Sequence, residues 1–235
     1  MFIGESPGFA DEELGRPFMS ESGQLLHKVL AKLGVSHSSC YFTNVVTCRS
    51  CEAVMNDKGL PLIRRKQPVY RDLAPLPPHI EACLPRLHEE IYIVDPVIIV
   101  ALGATAAKAV TGGNLSIMGE RGKERFIEIP GASKRAVFTD KKRSWVHKVR
   151  GELITPTETN TVSYLLIPTL HPNHAYSQQE DLSRESPLKL IIKDLRFAVK
   201  VYERYRLEVF GTLPTGASDV SEESIEEEVG DNDGN

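Results

Sequence analysis

Apolar and polar positions fall into blocks along this chain, and the spacing within each block names an element. Met1, Phe2 and Ile3 form a short apolar run that breaks at Gly4-Glu5-Ser6-Pro7-Gly8, the pattern of a buried strand entering a tight loop. Ser20, Glu21 and Ser22 precede Leu25, Leu26, Val29, Leu30 and Leu33, which share one helical face, and Gly34 supplies the stop. A strand is predicted over residues 40–46. A helix is predicted over about 78–94, with Ile80, Cys83, Leu84, Leu87, Ile91 and Val94 inward and Pro85 expected to kink it or delay its start. Residues 97–102 are apolar on both faces, as a central parallel strand requires, and Gly103 separates them from a small-residue helix over 104–110. Two more strands are predicted over 126–129 and 164–167. The last helix, about 188–210, carries Leu190, Ile191, Leu195, Val199 and Tyr202.

Strands alternating with helices predict an α/β fold, a three-layer α/β/α sandwich with a central, mostly parallel sheet. In such a sheet the ligand site gathers from loops at the carboxyl ends of the strands. Residues 1–210 read as one domain with polar insertions near 49–77 and 132–161. The first insertion carries Arg64-Arg65-Lys66, and the second carries Trp145 among lysines and arginines. Residues 211–235 read as an acidic, disordered tail.

Composition adds little until it is divided along the chain. The 235 residues are 41% hydrophobic and 26% charged, which excludes a fibrous or wholly disordered protein. No run approaches the roughly 18 apolar residues of a membrane span, and the start lacks a signal-peptide pattern. A cytoplasmic or nucleoid-associated, non-secreted monomer without a membrane partner is expected. The net charge of -4 hides a split: residues 218–235 hold eight acids and no Lys or Arg, which leaves 24 acids against 28 bases in the rest. A mildly basic body suits a polyanion, and the tail could fold back over it as a mimic of one.

Three predicted strands each run into a compact polar loop. These loops hold Gly4 to Phe18, then Thr43 to Arg49, then Leu170 to Tyr176. Singly, each has a bland explanation: turn glycines, an Asn satisfying backbone groups at a strand end, a loop His. Their order and their shared strand-end placement favour a site.

That ordered set resembles the uracil-DNA glycosylase superfamily, and most closely its iron-sulfur class, family four. The resemblance covers roughly residues 1–50 and 78–200. It rests on Gly4-Glu5-Ser6-Pro7-Gly8 with a downstream Gly15-Arg16-Pro17-Phe18 and Ser22-Gly23-Gln24-Leu25-Leu26, on the strand ending at Gly103, on Arg121-Gly122-Lys123 and on His171-Pro172. It implies hydrolysis of the N-glycosidic bond of uracil in DNA, without a cofactor for the chemistry. By the same resemblance His171 donates to the departing base and Asp11 holds the water and steadies the cationic sugar. Glu5 and Ser6 line the uracil pocket, Phe18 stacks on the base, and Asn44 pairs with its edge. Ser6 departs from family four, which usually has Gly or Ala there, and from the best-known branch of the superfamily, which has an Asp. Core packing is the competing explanation for Phe18, and a surface charge the competing one for Glu5.

The resemblance also implies DNA contacts at Pro7, Gly8, Ser22, Gly23, Pro172 and Asn173. The segment after His171-Pro172 lacks the Leu-Arg wedge of the family, which favours a single-stranded substrate, and the Trp145 segment is an alternative contact. Family four holds a structural [4Fe-4S] cluster with two early and two later cysteines. Cys48 and Cys83 match the later pair, and Cys51, in Cys-x-x-Cys spacing with Cys48, is a candidate third ligand. Cys40 reads as a small buried hydrophobe, and no early pair precedes the first motif, so a complete cluster is not expected from these residues without a rearranged loop. Two further functions stay open. One is a catalytically inactive superfamily member acting as a nucleic-acid or replication-protein binding module. The other is a doubly wound nucleotide-binding enzyme, for which no glycine-rich phosphate motif is present.

Overall fold

The computed structural model describes residues 1–113, 115–130, 161–177 and 186–210. The Trp145 segment, most of the second insertion and the acidic tail lie outside the described residues.

Five strands form the central sheet: β1 (Phe2–Gly4), β2 (Phe42–Asn44), β7 (Ile98–Leu102), β8 (Arg125–Pro130) and β9 (Thr161–Thr169). Their spatial order is β2-β1-β7-β9-β8, parallel except for the antiparallel edge strand β8. Side chains alternate across the sheet because a strand turns successive residues to opposite faces. Phe2, Val100, Leu102, Leu165 and Ile167 face one core, shared with helix α2 (Glu21–Lys32) and the long helix α7 (Pro187–Phe210). Ile3, Ile99, Ala101 and Leu166 face the other, shared with α3 (Pro77–Val94) and α4 (Ala104–Thr111). The expected three-layer α/β/α sandwich is therefore the observed fold. No helix among the described residues is long and apolar enough to cross a membrane.

Three boundaries differ from expectation. The second strand ends at Asn44, and the buried Val45 and Val46 continue as loop, held by single amide bonds to the Gly4 and Glu5 carbonyls. Helix α3 runs unbroken from Pro77 through Pro85, with no delayed start. Pro85 lacks the N–H that would serve the Glu81 carbonyl, and both residues lie on the exposed face, where solvent can take that place. Residues 49–77 are not featureless. They fold as two small antiparallel pairs, β3 (Cys51–Ala53) with β6 (Tyr70–Asp72), and β4 (Ile63–Arg64) with β5 (Gln67–Pro68).

One buried polar knot fixes the end of β9. Asp194 on α7 is 3% exposed, and it accepts from the Thr169 hydroxyl at 2.7 Å and from Arg121 Nη2 at 2.8 Å. Arg121, which follows the short helix α5 (Ile117–Glu120), also donates to the Leu190 carbonyl at 2.6 Å, while its Nε is buried without a partner among the described residues. Burial pushes the Asp194 carboxyl above its usual range, against the pull of Thr169 and Arg121. Asp194→Ala would leave Arg121 as an uncompensated buried charge and is expected to cost about 3–5 kcal/mol in urea unfolding. Arg121→Met combined with Asp194→Leu should recover part of that loss. A single variant within about 1 kcal/mol of the parent would show that the knot is not what anchors the strand.

Candidate active site

The carboxyl ends of β1, β2, β7 and β9 share one edge of the sheet, because all four strands run parallel. The strand order reverses direction between β1 and β7, and this is where an open α/β sheet leaves a crevice.

Gly4 closes β1 at the rim of that crevice. A Cβ built there would lie 2.3 Å from Asn44 Oδ1 and 2.7 Å from Phe18 Cζ, so the two side chains meet over a residue that has none. Asn44 is 6% exposed and its backbone is clamped: Arg86 on α3 donates to the Asn44 carbonyl at 2.7 Å and to the Val45 carbonyl at 2.9 Å. The amides of Val45 and Val46 extend the ladder past the strands by donating to the carbonyls of Gly4 and Glu5. Phe18 is also 6% exposed, adopts a left-handed φ of 61°, and sets its ring edge-on to Phe42 at 5.8 Å. Phe18 therefore packs in the core while the tip of its ring reaches the bare position at Gly4 beside Asn44.

His171 follows β9 by one residue, beyond the anchored Thr169. Its Cβ lies 3.0 Å from where a side chain at Gly103 would begin, so the loop after β7 must be bare for the imidazole to sit there. The Thr169 carbonyl accepts from the Gly103 amide at 2.8 Å, which locks the two strand ends together. The amide of Asn173 donates to His171 Nδ1 at 3.2 Å. With Nδ1 accepting, the proton of the neutral ring belongs on Nε2. The residue is half-buried, and burial, with His174 nearby, lowers its pKa from 6.5 to about 4 against the opposing pull of Asp11. The imidazole is thus neutral at ordinary pH and presents an N–H donor.

Asp11, 8% exposed in helix α1 (Phe9–Leu14), uses both carboxylate oxygens on the backbone. Oδ2 accepts from Gly8 at 3.0 Å and Oδ1 from Met19 at 2.6 Å, which ties the first loop to the turn that carries Phe18. Glu5 accepts from Thr105 Oγ1 in the first turn of α4, a favourable place for an anion, and so bridges the crevice. Ser6, Pro7 and Gly8 are partly accessible beside it. Asn173 is exposed, while Pro172 is buried in the short helix α6 (Pro172–Ser177). Ser22 and Gly23 are buried in the first turn of α2, where Gly23 lies against the Phe18 main chain and donates to Ser20 Oγ. These two therefore hold Phe18 from behind.

The residues that sequence reasoning missed are supports. Thr105, Arg86, Thr169 and Asp194 lie outside the loop motifs in sequence. Asp194 alone carried a signal, as an acid on the apolar face that also bears Leu190, Ile191 and Leu195.

The four cysteines are free thiols. Cys48 and Cys51 are exposed beside the first insertion, and Cys83 is half-buried on α3. Cys40 lies by the amino group of Met1. Among the described residues no three His, Cys, Asp or Glu side chains gather as a metal group would need, so Cys48, Cys51 and Cys83 do not fit the predicted cluster set.

Comparison with known proteins agrees with this geometry. Residues 1–196 match the family model of the uracil DNA glycosylase superfamily. The type-4 uracil-DNA glycosylase of Pyrobaculum aerophilum is 37% identical over 124 residues, 53% of this chain and 52% of that protein. The type-4 enzyme of Thermotoga maritima is 28% identical over 204 residues, 85% of this chain and 78% of its own length. That of Sulfurisphaera tokodaii is 36% identical over 121 residues, covering 51% and 44%. In the first of these and the last, the matched stretch spans about half or less of the relative. With three strand-end loops converging on one crevice, and a family match running from the first of them to α7, the chain belongs to the uracil DNA glycosylase superfamily.

Proposed function

We propose that this protein hydrolyses the N-glycosidic bond of uracil in DNA. The observation that carries the proposal is the neutral His171, held with Nε2–H free to donate, on the same sheet edge as the Phe18–Asn44 pair. Three relatives bear the name type-4 uracil-DNA glycosylase, which is the same chemistry.

The reaction needs a base extruded from the stack into a pocket. Asn44 can donate to a pyrimidine carbonyl and accept from a ring N–H, a combination that uracil matches and cytosine does not. Phe18 supplies the apolar surface beneath that edge. As the C1′–N1 bond breaks, its electron pair passes to the base and spreads to the carbonyl oxygen next to N1. His171 Nε2–H meets that oxygen, and a donor aimed at developing charge stabilises the transition state more than the ground state. Water adds to C1′ and gives up a proton, which leaves the sugar as a hemiacetal, and the uracil anion takes up one proton in exchange to become the neutral product. Asp11 supplies negative charge toward the cationic sugar and positions the water, besides holding Gly8 and Met19. Glu5 and Ser6 line the mouth of the pocket. Pro7, Gly8 and Asn173 border it where the flanking phosphates pass, while the buried Pro172 shapes the turn behind Asn173. None of these steps requires a metal cluster.

Excision of uracil from single-stranded and duplex oligonucleotides tests the proposal. His171→Ala is expected to lower kcat by about 10²–10³-fold. Asn44→Asp, which replaces a donor-acceptor pair with acceptors alone, should also depress uracil excision. A wild-type protein that binds uracil-containing DNA without cleaving it would overturn the enzyme in favour of a binding module.

The pH dependence follows from the same imidazole. If neutral His171 is the donor, the rate contribution of this group stays flat above its pKa and falls as pH drops through about 4; a donor that had to be imidazolium would give a rate that rises with acid. Stability should show the matching sign. Between 6.5 and about 4 the unfolded chain binds a proton at this position and the folded one does not, so stability declines as pH is lowered across that window. His171→Gln should remove that decline from urea midpoints measured against pH, and an unchanged profile would show that the imidazole titrates normally.

A further inference from the structure

We infer that the β4–β5 hairpin is a second DNA contact, whose basic tip grips phosphates beside the extruded nucleotide. The inference rests on the glycosylase reading for its substrate, but its own support lies in the insertion. The root of the insertion is fixed to the site. Arg49, with a side chain only 7% exposed, donates to Asp72 at 2.6 Å and to Glu12 at 3.4 Å, and its guanidinium lies 5.1 Å from the centre of the Phe9 ring. Asp72 also borders Gly8, within 3.5 Å of where a side chain there would start. Phe9 and Glu12 belong to α1, the helix that carries Asp11, so the insertion rises from the rim of the crevice.

The tip has a composition that its own fold does not ask for. Ile63 pairs with Pro68 and Arg64 with Gln67, leaving Arg65 and Lys66 as a two-residue loop with φ of 49° and 68°. Such loops need left-handed backbone at both positions and favour Asn-Gly, because long side chains are strained there. Here both positions are cationic and Arg64 precedes them. All three side chains are exposed, and among the described residues none forms an ion pair. Three uncompensated cations, kept where the turn itself disfavours two of them, suit a ligand with closely spaced anions. The phosphate backbone of DNA is such a ligand, and under the glycosylase reading it passes this rim.

Replacing the tip with the residues that the turn prefers separates charge from folding. In the full-length protein, Arg65→Asn with Lys66→Gly should hold or raise Tm, because it relieves the strained positions. Binding of a uracil-free duplex is then followed by fluorescence anisotropy across a salt series. The slope of log K against log salt should become shallower by about 2, roughly one for each phosphate that the hairpin no longer neutralises, with weaker binding at every salt concentration. An intact variant with an unchanged slope would overturn the inference. Uracil excision by the wild-type preparation, assayed alongside, keeps the two claims apart. Excision with an unchanged slope removes the hairpin contact alone. A shallower slope without any excision keeps the contact and removes the glycosylase.

Discussion

The carboxyl end of β1 approaches β2 and the turn before α2 so closely that position 4 has no room for a side chain. Asn44 Oδ1 and Phe18 Cζ occupy the space that a Cβ would need. That close approach makes a slot out of two separate loops, since an amide edge and an aromatic ring become neighbours only because nothing stands between them. The surrounding structure holds the approach in place. Arg86 pins the carbonyls of Asn44 and Val45 from one side, and Asp11 ties Met19, next to Phe18, back to Gly8 from the other.

The third loop is held differently, by electrostatics more than by shape. His171 lies beyond β9, and its placement depends on a strand end secured by three partners: Gly103 through the Thr169 carbonyl, Asp194 through the Thr169 hydroxyl, and Gly122 through the Pro168 carbonyl. An imidazole on a loose loop would stay hydrated, with a pKa near 6.5. Enclosure lowers it to about 4 and keeps it a neutral donor, although Asp11 pulls the other way. A neutral donor suits a departing base that takes on negative charge, because the site need not first desolvate a cation.

The fold was legible where burial was symmetrical. The run around residues 98–102 is apolar on both faces, and only a central strand in such a chain asks for that. The face of α2 was equally plain, with Leu25, Leu26, Val29 and Leu30 all buried. Legibility failed where burial was partial or absent. The strands of the first insertion are mostly exposed on both sides, so no alternation marks them. Asn44, His171 and Phe18 were singled out together, by the ordered motifs that carry the family resemblance, and none of them by a pattern of its own. The buried position of Phe18 was not legible, since it depends on a left-handed backbone angle and on Gly23 lying against it. Supports such as Arg86 act across more than forty residues of sequence, and no local pattern encodes them.

The first insertion shows how one chain can keep a site while changing what frames it. Its ends sit between Cys48 and Cys83, where the resemblance pointed to metal ligation, yet the observed fastening is ionic and aromatic. Arg49, between Cys48 and Cys51, reaches Asp72 at the far end of the insertion, Glu12 and the Phe9 ring. A guanidinium can serve this way because its flat fork takes carboxylates at its edges while its face rests on an aromatic ring. The fastening is also positioned to matter, for it joins the insertion to α1 and thereby to Asp11, the residue that holds the Phe18 turn. A segment that looks like a surface decoration is thus fastened at its root to the helix that carries Asp11.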